Sequence, residues 1–303
     1  MAKRSAKQSY KPKKSEVVSA VRASGFPFQL EVAAELKDAG WEIEPFKRFY
    51  SAERAKDVEI DVVATSWLSH KRQGFDFKGQ ISIGVECKAS DLPYVCLGLD
   101  YVKPIGPDHV DPDSWFTHIF TTRQSDRNQW VMPVFNSKRP GVDVKAGHLH
   151  FGSGPRFRYI VGSEWRGSGP NRTLKVHSSE DVNYDISRLG WFIEDFHTKF
   201  EKLDREFLEQ SQKAVVVAFP FTALVLRDPH YRYDTGTRKL ATSKHTPVFV
   251  NRDTGKSFLN YVVDVVAAKE LPTLLAKYEK TASLMLKQTA AWVVANKDKW
   301  RIS

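Results

Sequence analysis

Apolar and polar positions alternate along two short stretches, DVEIDVVA at 57–64 and IGVECKAS at 83–90, as half-buried strands require. Strands are predicted over 57–65 and 81–88, with another at 41–50. The polar stretch between them, TSWLSHKRQGFDFKGQ, reads as a hairpin excursion, and SDLPYVCLGL reads as a loop or helix start. Two helices precede the strands. One covers 15–24 and ends at Gly25. The next runs from Pro27 to Ala39, with Pro27 in its first turn and Gly40 as its stop. Residues 100–185, rich in Gly, Pro, aromatic and basic residues, predict long loops with short strands. Leu189, Phe192, Phe196, Phe200, Leu203 and Phe207 recur at helical spacing and predict an amphipathic helix over 186–212 with a core-facing stripe. AVVVAFPFTALVL at 214–226 is too short to cross a membrane and contains Pro220, so two buried strands are read, 214–219 and 222–227. Strands at 246–250 and 258–266 and helices at 268–286 and 288–299 complete an α/β pattern.

The strand faces carry unusual charges. Asp57, Glu59 and Asp61 share one face of the first strand; Glu86 and Lys88 share one face of the second, with Cys87 turned the other way. If the strands pair as an antiparallel hairpin with a long connection, Asp61 meets Glu86. Two carboxylates on adjacent strands suit a hard divalent cation, because Mg2+ takes oxygen ligands and keeps several waters. The backbone carbonyl of Cys87 would then point near the metal. A lysine beside the pair would orient a water, hold a phosphate oxygen or help to activate the nucleophile. Metal-assisted attack of water on phosphorus is the chemistry this layout suggests. The competing reading is an exposed Glu/Lys ion pair of little energetic weight. Asp57 and Glu59 share the face of Asp61 and read as solvated toward the strand start, with a secondary-ligand role as the alternative.

A helix, a strand containing Ile60-Asp61, a gap and then Glu86-Cys87-Lys88 resembles the PD-(D/E)XK superfamily, the restriction-endonuclease-like fold. The resemblance covers about residues 25–97. It implies a mixed β-sheet flanked by helices, Mg2+ dependence (Mn2+ substituting) and hydrolysis of phosphodiester bonds, usually in DNA. Asp61 and Glu86 would hold the metal, and Lys88 would be the catalytic lysine. The similar family helix places a polar residue seven positions before the leucine of Leu36-x-x-x-Gly40, which is Gln29. Gln29 lies with Ala33 and Leu36 toward the sheet, whereas Glu31, Glu35 and Asp38 form a polar stripe. Glu31 is the alternative to Gln29.

Charge refines the picture. Of the net +10, Lys3, Arg4, Lys7, Lys11, Lys13 and Lys14 supply six positives before the first acid, leaving +4 for the rest. Residues 1–14 therefore read as a disordered basic tail, either a phosphate-backbone contact or a solvated tail without partner. The expected organisation is this tail, a nuclease core over 15–100, and an α+β extension or companion lobe over 101–303. No apolar run of membrane-spanning length occurs, and a membrane partner is not expected. Cys87 and Cys96 make neither a disulfide framework nor a zinc site, and a cytoplasmic location is expected. His148 and His150 share a strand face without a visible third ligand. The GSGP stretches at 152–155 and 167–170 read as turns, and RFRYIVGSEWR as strand-and-loop packing or a stacking surface for nucleic acid. The leading expectation is a Mg2+-dependent nuclease acting on DNA. The alternative is a nucleic-acid-binding module with the same fold and little or no cleavage, part of a defence or repair assembly. A protein partner or homo-oligomer is compatible with both.

Overall fold

The computed structural model describes residues 12–51, 54–90, 92–98, 157–177, 180–208, 214–253 and 258–295. Two helices, α1 (Lys14–Ala23) and α2 (Phe26–Asp38), lead into three strands, β1 (Glu42–Ser51), β2 (Lys56–Arg72) and β3 (Phe75–Lys88). These pair antiparallel in sequence order. The short strand β4 (Val95–Gly98) follows, then β5 (Phe157–Arg166) and β6 (Thr173–His177), a hairpin whose connection includes the second GSGP stretch. Helix α3 (Glu180–Leu208) crosses to β7 (Ala214–Leu226). β8 (His230–Asp234), β9 (Lys239–Ser243), β10 (His245–Asp253) and β11 (Phe258–Ala267) precede the last helix, α4 (Leu271–Ala295).

The strands form a mixed ladder in the order β1-β2-β3-β7-β11-β10-β5-β4-β8-β9, with β6 paired to β5. β7 runs parallel to β3 along nearly the whole of β3, from Asp76↔Ala214 to Lys88↔Leu226, so the later strands extend the sheet begun by β1–β3. The class is α/β, with helices on both faces of the sheet.

Several elements differ from the sequence expectation for identifiable reasons. β2 and β3 have no long connection. Both continue to the two-residue turn Gln73-Gly74, whose φ values of 45° and 80° match a tight hairpin turn. The segment is polar because the outer end of this hairpin is largely half-exposed. β7 is one strand through Pro220. Among the described residues β11 joins β7 from Thr222 onward, so the missing N–H of Pro220 falls where β3 is the one strand neighbour described. The two C-terminal helices are one continuous α4. α3 begins earlier than predicted, β4 forms where a loop or helix start was read, and β8–β9 form a hairpin that the pattern did not reveal. Lys14 belongs to α1, and the backbone N–H of Lys13 donates to Glu16 Oε2 at 2.7 Å. Lys3, Arg4, Lys7 and Lys11 lie outside the described residues, as do His148, His150 and the GSGP at 152–155.

Two apolar layers sandwich the central strands. On one face α2 and α4 bring Phe28, Val32, Leu36, Leu274, Tyr278 and Leu286 against β-strand residues such as Val85, Cys87 and Val225. On the other, α3 brings Leu189, Phe192 and Phe196 against Ile60, Leu224 and Val263. Gly84 permits this second contact: a Cβ there would lie 2.6 Å from Phe192 and 2.9 Å from Ile60. The Tyr261 hydroxyl donates to the Ile186 carbonyl at 2.8 Å and fixes the same helix to β11. Among the described residues no helix is long and apolar enough to cross a membrane.

Candidate functional site

The pleat of β3 sends Cys87 into the α2/α4 layer and Glu86 toward α3. The β2–β3 ladder ends at Val62↔Val85, one position short of Asp61 and Glu86. At that end Asp61 turns its carboxylate to the opposite strand, and its Oδ2 accepts the Cys87 backbone N–H at 2.8 Å. Asp61 is 5% exposed and Glu86 0%. Both acids predicted from the strand pattern are therefore buried at one place on adjoining strands. Glu59 is instead half-exposed and pairs with Arg48 at 3.1 Å, and Asp57 is exposed.

Helix α3 completes the cluster with two residues that sequence reading did not assign. Asp185 and Arg188, three apart, share a helix face. Asp185 Oδ2 pairs with Lys88 Nζ at 2.6 Å, and its Oδ1 accepts from Arg188 Nη2 at 2.7 Å. Arg188 Nη2 also contacts Glu86 Oε2, while Nη1 lies 3.9 Å from Asp61 Oδ1 and donates to the Glu59 carbonyl at 2.8 Å. The signal for Asp185 was present in the chain. It stands four positions before Leu189 and seven before Phe192, so it extends the apolar stripe and is buried with it, at 2% exposure.

The electrostatics follow from burial. Desolvation pushes Glu86 well above the usual carboxylate range, and the charges of Asp61 and Asp185 add to this against the pull of Arg188 and Lys88. Burial also raises Asp61, opposed by the Cys87 N–H and Arg188. For Lys88, burial disfavours the ammonium, but the charge and hydrogen bond of Asp185 outweigh it and the pKa lies above the ordinary lysine value. Lys88 is therefore a cation in this state and does not accept a proton. It also borders a pocket of about 200 Å³, shared with Ser90, Tyr94, Asp228 and Tyr231.

Glu86 Oε1 is buried and has no hydrogen-bond partner among the described residues. An unpartnered carboxylate oxygen beside a second carboxylate fits a divalent cation that retains most of its waters. Asp61 and Glu86 would be its side-chain ligands. No grouping of three or more His, Cys, Asp or Glu with metal-binding arrangement occurs among the described residues. On α2, Phe28, Val32, Ala33 and Leu36 are buried and Glu31 is exposed. Gln29 is half-buried, and its Oε1 is enclosed without a hydrogen-bond partner among the described residues. Lys13 and Lys14, at the start of α1, are exposed.

A buried acid outside this cluster has a different setting. Asp264 on β11 is 1% exposed; its Oδ1 pairs with His245 Nε2 at 2.6 Å and its Oδ2 accepts the Tyr278 hydroxyl at 2.7 Å. Both oxygens are satisfied, so Asp264 ties β10, β11 and α4 together. No family model, curated protein or solved structure matches this chain.

Proposed function

We propose that the chain is a Mg2+-dependent nuclease of restriction-endonuclease-like fold that hydrolyses phosphodiester bonds in DNA. The observation that carries this reading is the pair Asp61 and Glu86. They are buried together at the end of a ladder, one keeps an unpartnered oxygen, and a lysine held as a cation stands two residues along the same strand face. The mixed sheet flanked by helices, with three antiparallel strands continued by parallel β7, supports the fold part of the proposal.

Asp61 and Glu86 would hold the cation, with the Cys87 carbonyl as a further ligand. Bound there, Mg2+ would lower the pKa of the attacking water and stabilise charge on the phosphate. The Cys87 N–H fixes the Asp61 carboxylate. Asp185 fixes the Lys88 ammonium, whose charge is available to a phosphate oxygen as negative charge builds up there. Because Lys88 is protonated, it orients and neutralises; the proton of the attacking water leaves by another group or to solvent.

A second reading, a nucleic-acid-binding module without efficient cleavage, is favoured by Arg188, which already supplies positive charge to these carboxylates, and by α2, which packs on the other face of the sheet and brings no acid to them. An assay on supercoiled plasmid, linear duplex, single-stranded DNA and RNA, with Mg2+ and with chelator, separates the two. The nuclease reading expects cleavage of DNA in Mg2+ only. Cleavage that persists in chelator overturns it. Binding without cleavage in any metal leaves the second reading.

A further inference from the structure

Arg188 is the one strongly charged group in the cluster that the proposed chemistry does not use. Its guanidinium meets three carboxylates from three elements: Glu86 of β3 and Asp185 of α3 through Nη2, and Asp61 of β2 at 3.9 Å from Nη1. Its Nε has no hydrogen-bond partner among the described residues, and the Tyr184 ring centroid lies 5.4 Å from Cζ. The side chain is 15% exposed. Counted as ionised, Asp61, Glu86 and Asp185 carry three negatives against two positives from Lys88 and Arg188. With Arg188 withdrawn and a divalent cation in its place, the same groups sum to zero.

Carboxylates buried at this depth stay ionised only with a cation nearby. A divalent ion between Asp61 and Glu86 would stand beside the guanidinium, and like charges so close in a buried site repel strongly. One of the two must give way. Arg188 is the group that can move. The Nη2 that meets Glu86 also binds Asp185 on its own helix, and Nη1 donates to the Glu59 carbonyl, so the side chain keeps polar partners to turn toward when it leaves Glu86.

We propose that Arg188 is an exchangeable internal cation: it occupies the place beside Asp61 and Glu86 while no metal is bound and leaves Glu86 when a divalent cation enters. This rests on the reading of Asp61 and Glu86 as the metal site. It makes metal entry and arginine release one coupled step, so removing Arg188 should favour the metal.

The test is calorimetric titration of Mn2+ into wild-type protein, Arg188→Met and Arg188→Lys, with thermal melts in the same buffers, and diffraction from wild-type crystals soaked in Mn2+. Arg188→Met should melt lower than wild type without metal, regain stability in Mn2+, and bind the ion about tenfold more tightly or better, within the usual range of coupling between sites. Arg188→Lys keeps the charge but loses the fork, so it keeps the comparison available if Arg188→Met does not fold; it should also bind Mn2+ more tightly than wild type. In the soaked crystal, Mn2+ should lie between Asp61 and Glu86 with Arg188 turned off Glu86. Mn2+ bound there with Arg188 still against Glu86, or variants that bind no more tightly than wild type, overturns the exchange and leaves the metal site standing. Absence of Mn2+ from the carboxylates in every form overturns the metal reading itself.

Discussion

Glu86 and Asp264 are both fully buried acids on central strands of one sheet, facing opposite layers, and their surroundings differ in kind. Asp264 has a partner for each oxygen, His245 at 2.6 Å and the Tyr278 hydroxyl at 2.7 Å. Glu86 shares Arg188 through one oxygen, has none at the other among the described residues, and faces the like charges of Asp61 and Asp185. A satisfied buried carboxylate contributes to the fold. One that lacks partners and is pressed by other carboxylates destabilises the protein it sits in, and a ligand accounts for its presence. Under the proposed reading, the α3 face carries function and the α4 face structure.

The largest effect that would break this contrast is on cleavage. Asp61→Ala, Glu86→Ala and Lys88→Ala should each lower the Mg2+-dependent rate by at least about 10²-fold, the scale of removing one group that stabilises charge in a transition state. Far-ultraviolet circular dichroism should show the fold intact. Asp264→Asn should do the opposite. An amide can accept only one of the two hydrogen bonds that the carboxylate accepts, so urea melts should show a loss of about 2–3 kcal/mol, with cleavage per folded molecule unchanged.

A smaller effect sharpens the contrast through pH. Burial and neighbouring carboxylates hold Glu86 above the ordinary range, so the folded state keeps a proton that the unfolded chain has already released. Stability of the metal-free protein should therefore fall as pH rises from the ordinary carboxylate range through the raised pKa of Glu86. Glu86→Gln has no such proton to lose and should melt with a flatter pH profile and, at neutral pH, a higher midpoint. A profile identical to wild type would show that Glu86 does not bear the cost assigned to it.

Two further effects lie outside the central cluster. Deleting residues 1–14 removes six positives and should flatten the dependence of log affinity on log salt for nucleic acid, by about 0.9 for each phosphate that the tail neutralises. An unchanged slope would show that the tail does not touch phosphate. On α2, which packs on the sheet face away from Glu86, Gln29→Glu should leave the Mg2+ concentration for half-maximal cleavage unchanged. Glu31→Ala, on the exposed face, should shift stability by no more than about 0.5 kcal/mol. A lower Mg2+ requirement for Gln29→Glu, or an inactive Glu31→Ala, would show that α2 does reach the cation.

Sequence pattern alone brought together Asp61 and Glu86, the strand half of the buried cluster. The alternation in DVEIDVVA and IGVECKAS puts Asp61 and Glu86 on strands that pair, and the strict period of a strand leaves little freedom about which face each side chain takes. The helix half was harder to read. Asp185 and Arg188 lie at the start of α3, where the apolar stripe has thinned and the chain ahead gives no clear boundary. Their role depends on α3 crossing between β6 and β7 onto the Glu86 face, a tertiary fact that helical spacing does not contain. Pro220 misled in another way. Its missing donor suggests a strand break, but only knowledge of where β11 joins shows that β7 can run through it. The β2–β3 turn is short because the polar residues around it still pair; polarity there reports exposure of the hairpin's outer end.

The most direct test compares the two acids in one measurement: the Mg2+-dependent rate of plasmid cleavage by wild type, Glu86→Gln and Asp264→Asn, each assayed well below its own melting temperature. The account predicts that Asp264→Asn cleaves at the wild-type rate, while Glu86→Gln, although folded and more stable without metal at neutral pH, does not cleave. Wild-type cleavage by Glu86→Gln would contradict it.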